Sequence, residues 1–240
     1  MWEHHIWKPD EVKAFWDYES QFPENYWSRK YSRALVQKFQ KVILSSKSIV
    51  DLGCGDGGLL EYLLPFLKRT STKVYGLDSS SDSVDIVNKK FYSSPNFGGC
   101  FTDSQHLLEA SSGEVDLIFC CEVIEHLYDH DLASVFDTAR ALINRSNGVI
   151  IITTPNDEDL SANLVFNPVS KTLFHRWQHV RSWNPSALRE YLGLHGFNVK
   201  ALETLNFRHY EPSGLLIKAY NRVRFRDQPN LIAIAAFNTF

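Results

Sequence analysis

The chain has 240 residues, a hydrophobic fraction of 44%, a charged fraction of 22% and a net charge of -3. This length and composition fit one folded α/β domain, and the weak charge gives no general reason to expect binding to nucleic acid or to an anionic membrane. The four cysteines form no C-x-x-C pair, and we recognise neither a signal peptide nor a membrane span, so we expect a reduced, cytoplasmic protein without structural zinc.

The first 47 residues are rich in aromatic side chains and predict two helices. A short capped pattern covers residues 10–18, and a longer amphipathic pattern covers residues 28–44, with Pro23 between them. Aromatic side chains bury a large area, so we expect most of them to pack against the core.

Strands and helices then alternate, which is typical of a parallel sheet with helices on both faces. The pattern predicts strands near 48–53, 73–78, 97–102, 115–121, 148–153, 198–205 and 231–237, and helices near 58–68, 80–92, 129–143 and 184–194. The segment 155–183 interrupts this alternation with prolines and a cluster of aromatic, His and Arg side chains. Segments of this length usually line or cover a binding site.

The most informative stretch is the glycine-rich turn after the first of these strands. Asp51 precedes Gly53, Gly55, Gly57 and Gly58, and an amphipathic helix pattern follows. Glycines there permit positive φ angles and close approach of a ligand, while the helix presents free N–H groups. The spacing satisfies both the dinucleotide fingerprint and the D-x-G-x-G-x-G loop of methyltransferases that use S-adenosylmethionine (SAM). A nicotinamide-dependent oxidoreductase therefore stays an alternative.

Further motifs follow in a fixed order along the chain. They are VYGLDS at 74–79, FTD at 101–103, CEVIEH at 121–126, IITTPN at 151–156 and LHGF at 194–197. From about residue 26 onward this ordered set resembles the class I SAM-dependent methyltransferases, and within them it is similar to the ubiquinone-biosynthesis O-methyltransferase group.

The resemblance implies a fold and an organisation for the chain. The fold is a Rossmann-like sheet of seven mostly parallel strands, with helices on both faces and the last strand antiparallel. Residues 1–240 would form a single methyltransferase domain. Residues 1–47 would cover the cofactor cleft, and the segments 155–183 and 206–228 would lie on the substrate side.

The motifs also indicate how SAM would be held. Asp51 could accept from the ammonium group of SAM, Asp78 from both ribose hydroxyls and Asp103 from the adenine amino group. The simpler alternatives are a helix cap for Asp78 and a turn residue for Asp103. The predicted cofactor-binding set is Asp51, Gly53, Cys54, Gly55, Gly57, Asp78, Ser79, Asp103, Ser104 and Cys121.

Catalysis is expected where the fourth strand of the sheet ends. Glu122, Glu125 and His126 have spacings that place them on one side of a helical turn. They could hold a divalent ion such as Mg²⁺, with His175 or His179 as a late partner, or supply a general base, for which His126 is the best candidate. The resembling enzymes are thought to use an ion here. The plainer alternative is that Glu125 and His126 cap the following helix.

We therefore predict methyl transfer from SAM to a small-molecule acceptor, at oxygen, on a compound such as a sugar or a phenol. The segment 155–183 would line the acceptor pocket through His175, Arg176 and His179. An RNA 3′-terminal 2′-O-methyltransferase is the alternative enzyme, although we do not expect nucleic acid as a partner. A SAM-binding pseudo-enzyme is the non-enzymatic alternative. The oligomeric state is not predicted.

Overall fold

The computed structural model describes residues 2–210 and 229–237. In chain order its strands are β1 (Glu3–His4), β2 (Ser48–Leu52), β3 (Lys73–Leu77), β4 (Phe97–Phe101), β5 (Leu117–Cys121), β6 (Val149–Pro155), β7 (Leu164–Asn167), β8 (Thr172–His175), β9 (Phe197–Leu205) and β10 (Asn230–Phe237). The α-helices are α1 (Pro9–Glu19), α2 (Trp27–Lys38), α3 (Gln40–Ser45), α4 (Leu60–Leu67), α5 (Ser81–Phe91), α6 (Ser104–Ser111), α7 (Asp129–Leu142) and α8 (Pro185–Leu194).

The main sheet has seven strands in the order β4-β3-β2-β5-β6-β10-β9. The strands from β4 to β6 pair in parallel, and β10 runs antiparallel to both of its neighbours. This confirms the predicted fold class. The central strands read as continuous apolar runs because both faces of the sheet are buried.

Two hydrophobic clusters fill the two faces of the sheet. One contains Leu35, Leu60 and Val87, and it joins the helices α2 to α5 to the sheet. The other contains Leu107, Phe136 and Leu188, from α6, α7 and α8. Since the strands β2 to β6 are parallel, their carboxyl ends meet at one edge, and the candidate site lies along that edge.

The structure differs from the predicted elements in three places. The single helix predicted over 28–44 is two helices, because the backbone leaves the helical region at Phe39, whose side chain is buried in the core. The helix α6 was not predicted. Residues 155–183 contain the hairpin of β7 and β8, which forms a small sheet with β1 through pairs such as Glu3 with Thr172.

Parts of the predicted organisation fall outside the described residues. In the proposed substrate-side segment 206–228, residues 211–228 are not described. None of the helices within the described ranges is long and apolar enough to cross a membrane.

Candidate functional site

The glycine turn begins where β2 ends, beside the carboxyl end of β3. The N–H of Gly53 donates to the carbonyl of Leu77 at 2.8 Å. The φ angles of Gly53, Gly55 and Gly57 are 75°, 52° and 80°, in the region that glycine adopts without strain. A Cβ atom on Gly53 would also collide with the side chain of Val123. The turn therefore needs glycine for its backbone and for its contact with the loop after β5.

Asp78 lies directly after β3 and connects this strand to the turn. Its two carboxylate oxygens accept from the N–H of Gly55 at 2.8 Å and from the N–H of Ser80 at 2.9 Å. Burial raises the pKa of Asp78, and the two N–H groups offset only part of that shift. The cap of α5 is Ser80, which accepts from the N–H of Ser83, while Ser79 is exposed. Asp78 thus orients the turn rather than capping the helix.

Asp51 and three cysteines lie around the same turn. Asp51 is only 3% exposed, and burial together with the charge of Asp78 raises its pKa to about 8. A cation beside Asp51 would restore its charge, which is the property that the predicted contact with an ammonium group requires. Cys54 and Cys100 are buried with their Sγ atoms 3.4 Å apart, whereas Cys121 is partly exposed at the end of β5.

Asp103 lies directly after β4 and caps α6. Its Oδ1 accepts from the N–H of Gln105 at 2.8 Å and from the N–H of His106 at 3.1 Å. Ser104 and Gln105 form the first turn of this helix and are exposed. Asp103 is therefore a helix cap rather than the turn residue considered as its plainer role, and its contact with adenine stays a prediction.

Glu122 begins the loop after β5 with an unusual backbone. Its φ angle is 53°, a left-handed conformation that costs free energy in a residue with a side chain. The carboxylate accepts from the hydroxyl of Thr153 at 2.8 Å. Burial raises the pKa of Glu122 to about 7. This carboxyl group can therefore exchange a proton near neutral pH.

Glu125 and His126 follow in the same loop and are held in different ways. Glu125 is 1% exposed, and one of its oxygens accepts from the hydroxyl of Thr154 at 3.0 Å. Burial, together with the charge of Glu122, raises the pKa of Glu125. The ring of His126 meets the edge of Trp16 with a centroid separation of 4.9 Å. The helix α7 begins after this loop without a side-chain cap, so the capping role considered for Glu125 and His126 is absent.

The protonation of His126 differs from the sequence-based expectation. Burial, and then the neighbouring His179, lower the pKa of His126 to about 3. The neutral imidazole therefore prevails at physiological pH, and the ordinary titration near neutrality does not apply to this residue. A neutral imidazole keeps a lone pair for a metal ion, but it is a weak proton acceptor at this pKa.

The segment 155–183 adds two histidines and one further acid to this loop. Within the described residues, one group with ligand atoms inside 4.8 Å contains Glu125, His126 and His179, and a second contains Glu158, His175 and His179. Glu122 belongs to neither group. The structure thus brings two of the three predicted metal ligands together with a histidine from the inserted segment.

Gln178 connects the N-terminal region, the loop after β5 and the inserted segment. It is fully buried, donates to the carbonyl of His126 at 3.1 Å and accepts from the indole N–H of Trp16 at 3.3 Å. Its φ angle is 57°, a left-handed conformation that is uncommon in a residue with a side chain. Arg176, predicted to face the acceptor, is exposed and belongs to neither ligand group.

Sequence reasoning missed the residues that support the ligand candidates. Thr153 and Thr154 donate to the two glutamates of the loop, and Glu158 contacts both histidines of the segment. The sequence shows only that the inserted segment contains an acid, Glu158, and two histidines, His175 and His179. It does not show that these side chains contact one another, because their contact depends on how the hairpin of β7 and β8 folds.

Comparison with known proteins shows which family matches this chain. A family model for methyltransferase domains matches residues 21–202. The chain is 30% identical over 121 residues to a small RNA 2′-O-methyltransferase of Arabidopsis thaliana, which covers 48% of this chain and 12% of that protein. It is 29% identical over 115 residues to the mitochondrial ubiquinone biosynthesis O-methyltransferase of Saccharomyces cerevisiae, which covers 48% of this chain and 35% of that protein.

The chain thus spans well under two thirds of the length of these two relatives. Among solved structures, it is similar to an S-adenosylmethionine-dependent methyltransferase from Clostridium acetobutylicum, with a TM-score of 0.59 and 16% identity. That alignment covers 95% of this chain and 99% of the other, so the two share a fold along nearly their whole length.

Proposed function

We propose that this chain, which belongs to the family of methyltransferase domains, transfers a methyl group from SAM to a hydroxyl group of a small molecule with the help of a divalent cation such as Mg²⁺. One observation carries this proposal. Glu125, His126 and His179 place ligand atoms within 4.8 Å of one another at the edge where the parallel strands end. Within this group Glu125 Oε1 is buried and has no hydrogen-bond partner in the described chain, and Nε2 of His126 lies 4.0 Å from it.

The unpartnered oxygen of Glu125 supports a cation. Buried polar atoms nearly always have a partner, so a buried carboxylate oxygen without one, beside two imidazole rings, favours a bound cation. A carboxylate oxygen with imidazole nitrogens suits Mg²⁺, Mn²⁺ and other divalent ions. The low pKa of His126 keeps its imidazole in the neutral form that a metal ion requires. When bound, the ion would lower the pKa of an acceptor hydroxyl.

The cofactor side supplies the position of the methyl group. We assign the backbone of the glycine turn to the carboxylate of SAM, Asp51 to its ammonium and Asp78 to its ribose. Methyl transfer requires the acceptor oxygen to lie about 3 Å from the methyl carbon, in line with the leaving sulfur. Gly53 packs against Val123, so the cofactor turn and the loop with the ligand candidates are in direct contact.

The acceptor proton needs a base within the same cleft. We assign this role to Glu122, because it is a carboxylate in the same loop as Glu125 and His126 and belongs to neither ligand group. Its contact with Thr153 fixes the carboxylate beside the end of β6. His126 would then act as a ligand rather than as the base expected from its residue type.

The small acceptor is favoured by the way the cleft is covered. Trp16 of α1 lies against His126 and is connected through Gln178 to the inserted segment. We propose that residues 1–47 form a cover over the cofactor cleft and that 155–183 lines the acceptor side. Such a closed cleft suits a compound like a phenol or a sugar, and the resemblance to the ubiquinone O-methyltransferase group supports a phenol.

RNA with a free 3′-terminal ribose is the second candidate. The ligand group that includes His179 is compatible with it, and the relative from Arabidopsis thaliana acts at a 2′ oxygen by its name. Against it, the net charge is -3, and Arg181 of the inserted segment is already paired with Asp129 at 2.8 Å.

Transfer of a labelled methyl group from SAM tests these proposals. The acceptors would be catechol, a set of sugars, and a short RNA with and without periodate oxidation of its 3′ end. We expect O-methylated catechol or sugar that requires Mg²⁺ or Mn²⁺ and is lost with a chelator. Transfer only to intact RNA would support the second candidate. Transfer to nitrogen or carbon, with no effect of the chelator, would contradict the O-methylation proposal.

A further inference from the structure

The second histidine group differs from the first in the partners of its atoms. His175 is 4% exposed, and its Nδ1 accepts from the backbone N–H of Trp177 at 3.3 Å and of His179 at 3.2 Å. Both contacts require a lone pair on Nδ1, so the proton of the neutral ring must be on Nε2. That Nε2 lies 3.4 Å from Oε1 of Glu158. His175 therefore has no lone pair left for a metal ion.

Glu158 in turn determines the tautomer of His179. Its Oε2 lies 2.5 Å from Nδ1 of His179, and its Oε1 also accepts from the side-chain amide of Asn163 at 3.3 Å. A carboxylate only accepts, so Nδ1 of His179 must carry the proton. The lone pair of the neutral ring is then on Nε2, the nitrogen that remains for the group with Glu125 and His126.

We propose that Glu158 is a positioning residue that holds His179 in the Nδ1–H tautomer and so presents the Nε2 lone pair to the candidate metal site. This inference rests on the proposed function, because it gives His179 the role of a ligand. Glu158 and His175 would not themselves bind the ion. They form a support in which backbone N–H groups fix His175, the side-chain amide of Asn163 fixes Glu158, and Glu158 fixes His179.

The substitution Glu158→Gln tests this arrangement because an amide is not symmetric. Its oxygen must lie at the Oε1 position, where the side-chain amide of Asn163 donates. Its NH₂ group then faces Nδ1 of His179, which must become an acceptor. The proton of His179 would move to Nε2, and the lone pair for the ion would be lost. The opposite orientation of the amide would direct its NH₂ group at the NH₂ group of Asn163, so that two donors would face each other.

Two readouts measure this effect without turnover. In the apo protein at pH 8, long-range ¹H–¹⁵N spectra of the imidazole rings report which nitrogen of His179 carries the proton. Titration calorimetry with Mn²⁺ alone reports affinity. We expect Nδ1–H in the wild type, Nε2–H in E158Q, and a 10- to 100-fold weaker affinity for Mn²⁺ in the variant. D159N is the matched control, since Asp159 is the neighbouring acid and caps only a short turn through Ser161.

The outcomes separate this inference from the proposed function. If the wild type binds Mn²⁺ and E158Q binds it equally well, the positioning role is wrong and the metal site stands. If the wild type binds no Mn²⁺, both proposals are overturned. Glu158→Asp keeps two acceptor oxygens, so its affinity should stay closer to the wild type. Equal losses in the Asp and Gln variants, or Nε2–H in the wild type, would also contradict the inference.

Discussion

The proposed cofactor side and the proposed acceptor side of the site are built from contacts of different range. On the cofactor side, the N–H groups of Gly55 and Ser80 donate to the carboxylate of Asp78, over separations of 23 and 2 positions in the chain. On the acceptor side, Trp16 and Gln178 are separated by 162 positions, and Gln178 and His126 by 52. A local motif can therefore keep the cofactor site while distant segments change the acceptor. Substitutions on the cofactor side should therefore change mainly the affinity for the cofactor, and substitutions on the acceptor side mainly the rate of turnover.

The largest expected effect is on turnover, from His179→Ala. Loss of a proposed ligand should lower the rate of methyl transfer by about 100-fold or more. The affinity for S-adenosylhomocysteine should stay within twofold, because the turn and Asp78 are unchanged. Initial rates with the best acceptor measure the first quantity, and titration calorimetry with S-adenosylhomocysteine measures the second. His130→Ala, at an exposed histidine of α7, is the control and should retain activity.

The next effect is on cofactor affinity, from Asp78→Ala. The substitution removes the carboxylate that accepts from Gly55 and Ser80 and is proposed to bind the ribose. We expect the affinity for S-adenosylhomocysteine to weaken by about 2–3 kcal/mol. Calorimetry would show this, with the exposed Asp82→Ala as control. An unchanged dissociation constant would mean that the ribose is held elsewhere.

A third prediction concerns stability and pH at Asp51. Its pKa is raised to about 8 in the folded chain, above the value of about 4 in an unfolded chain. Between these values the folded state binds the extra proton, so stability is highest at low pH and falls as the pH rises toward 8. The slope should be about 1 kcal/mol per pH unit from this group.

Denaturant unfolding of the wild type and Asp51→Asn between pH 5 and 8 measures this contribution. The difference in unfolding free energy between the two proteins should shift in favour of the Asn variant as the pH rises. A difference that is constant with pH would show that Asp51 is ionised in the folded protein. The comparison isolates Asp51 because the other buried acids are the same in both proteins.

The smallest effect is expected from Trp16→Phe, which keeps the ring beside His126 but removes the hydrogen bond to Gln178. We expect a loss of about 1 kcal/mol in unfolding free energy and a higher KM for the acceptor, with cofactor affinity unchanged. The exposed Trp2→Phe is the matched control. A change in cofactor affinity instead would show that α1 belongs to the cofactor side.

Sequence reasoning succeeded where the structure depends on local pattern. The apolar runs gave the seven strands of the main sheet, and the glycine spacing located the turn, because both signals lie within a few neighbouring residues. It did not give α6, whose eight residues follow the cap Asp103, or β1, which has two residues and forms only by pairing with β8. Those elements depend on tertiary contacts that a short segment does not encode.

The same limit applies to the candidate site. The spacing of Glu122, Glu125 and His126 was readable, but burial moves the pKa of His126 to about 3 and that of Glu122 to about 7. Residue type alone favoured His126 among the three as the base, and the identity of the base stays a prediction. The support by Glu158 was not readable, because it requires the hairpin of β7 and β8 to return His175 and His179 to that acid.

Anomalous diffraction from crystals grown with S-adenosylhomocysteine and Mn²⁺ tests most directly whether Glu125, His126 and His179 bind a divalent ion. We predict one manganese peak bound by these three residues, through Nε2 of His179, with Glu158 on the far side of His179 and not bound to the ion. A peak bound by Glu158 and His175, or no peak beside Glu125 at a saturating concentration of Mn²⁺, would contradict it.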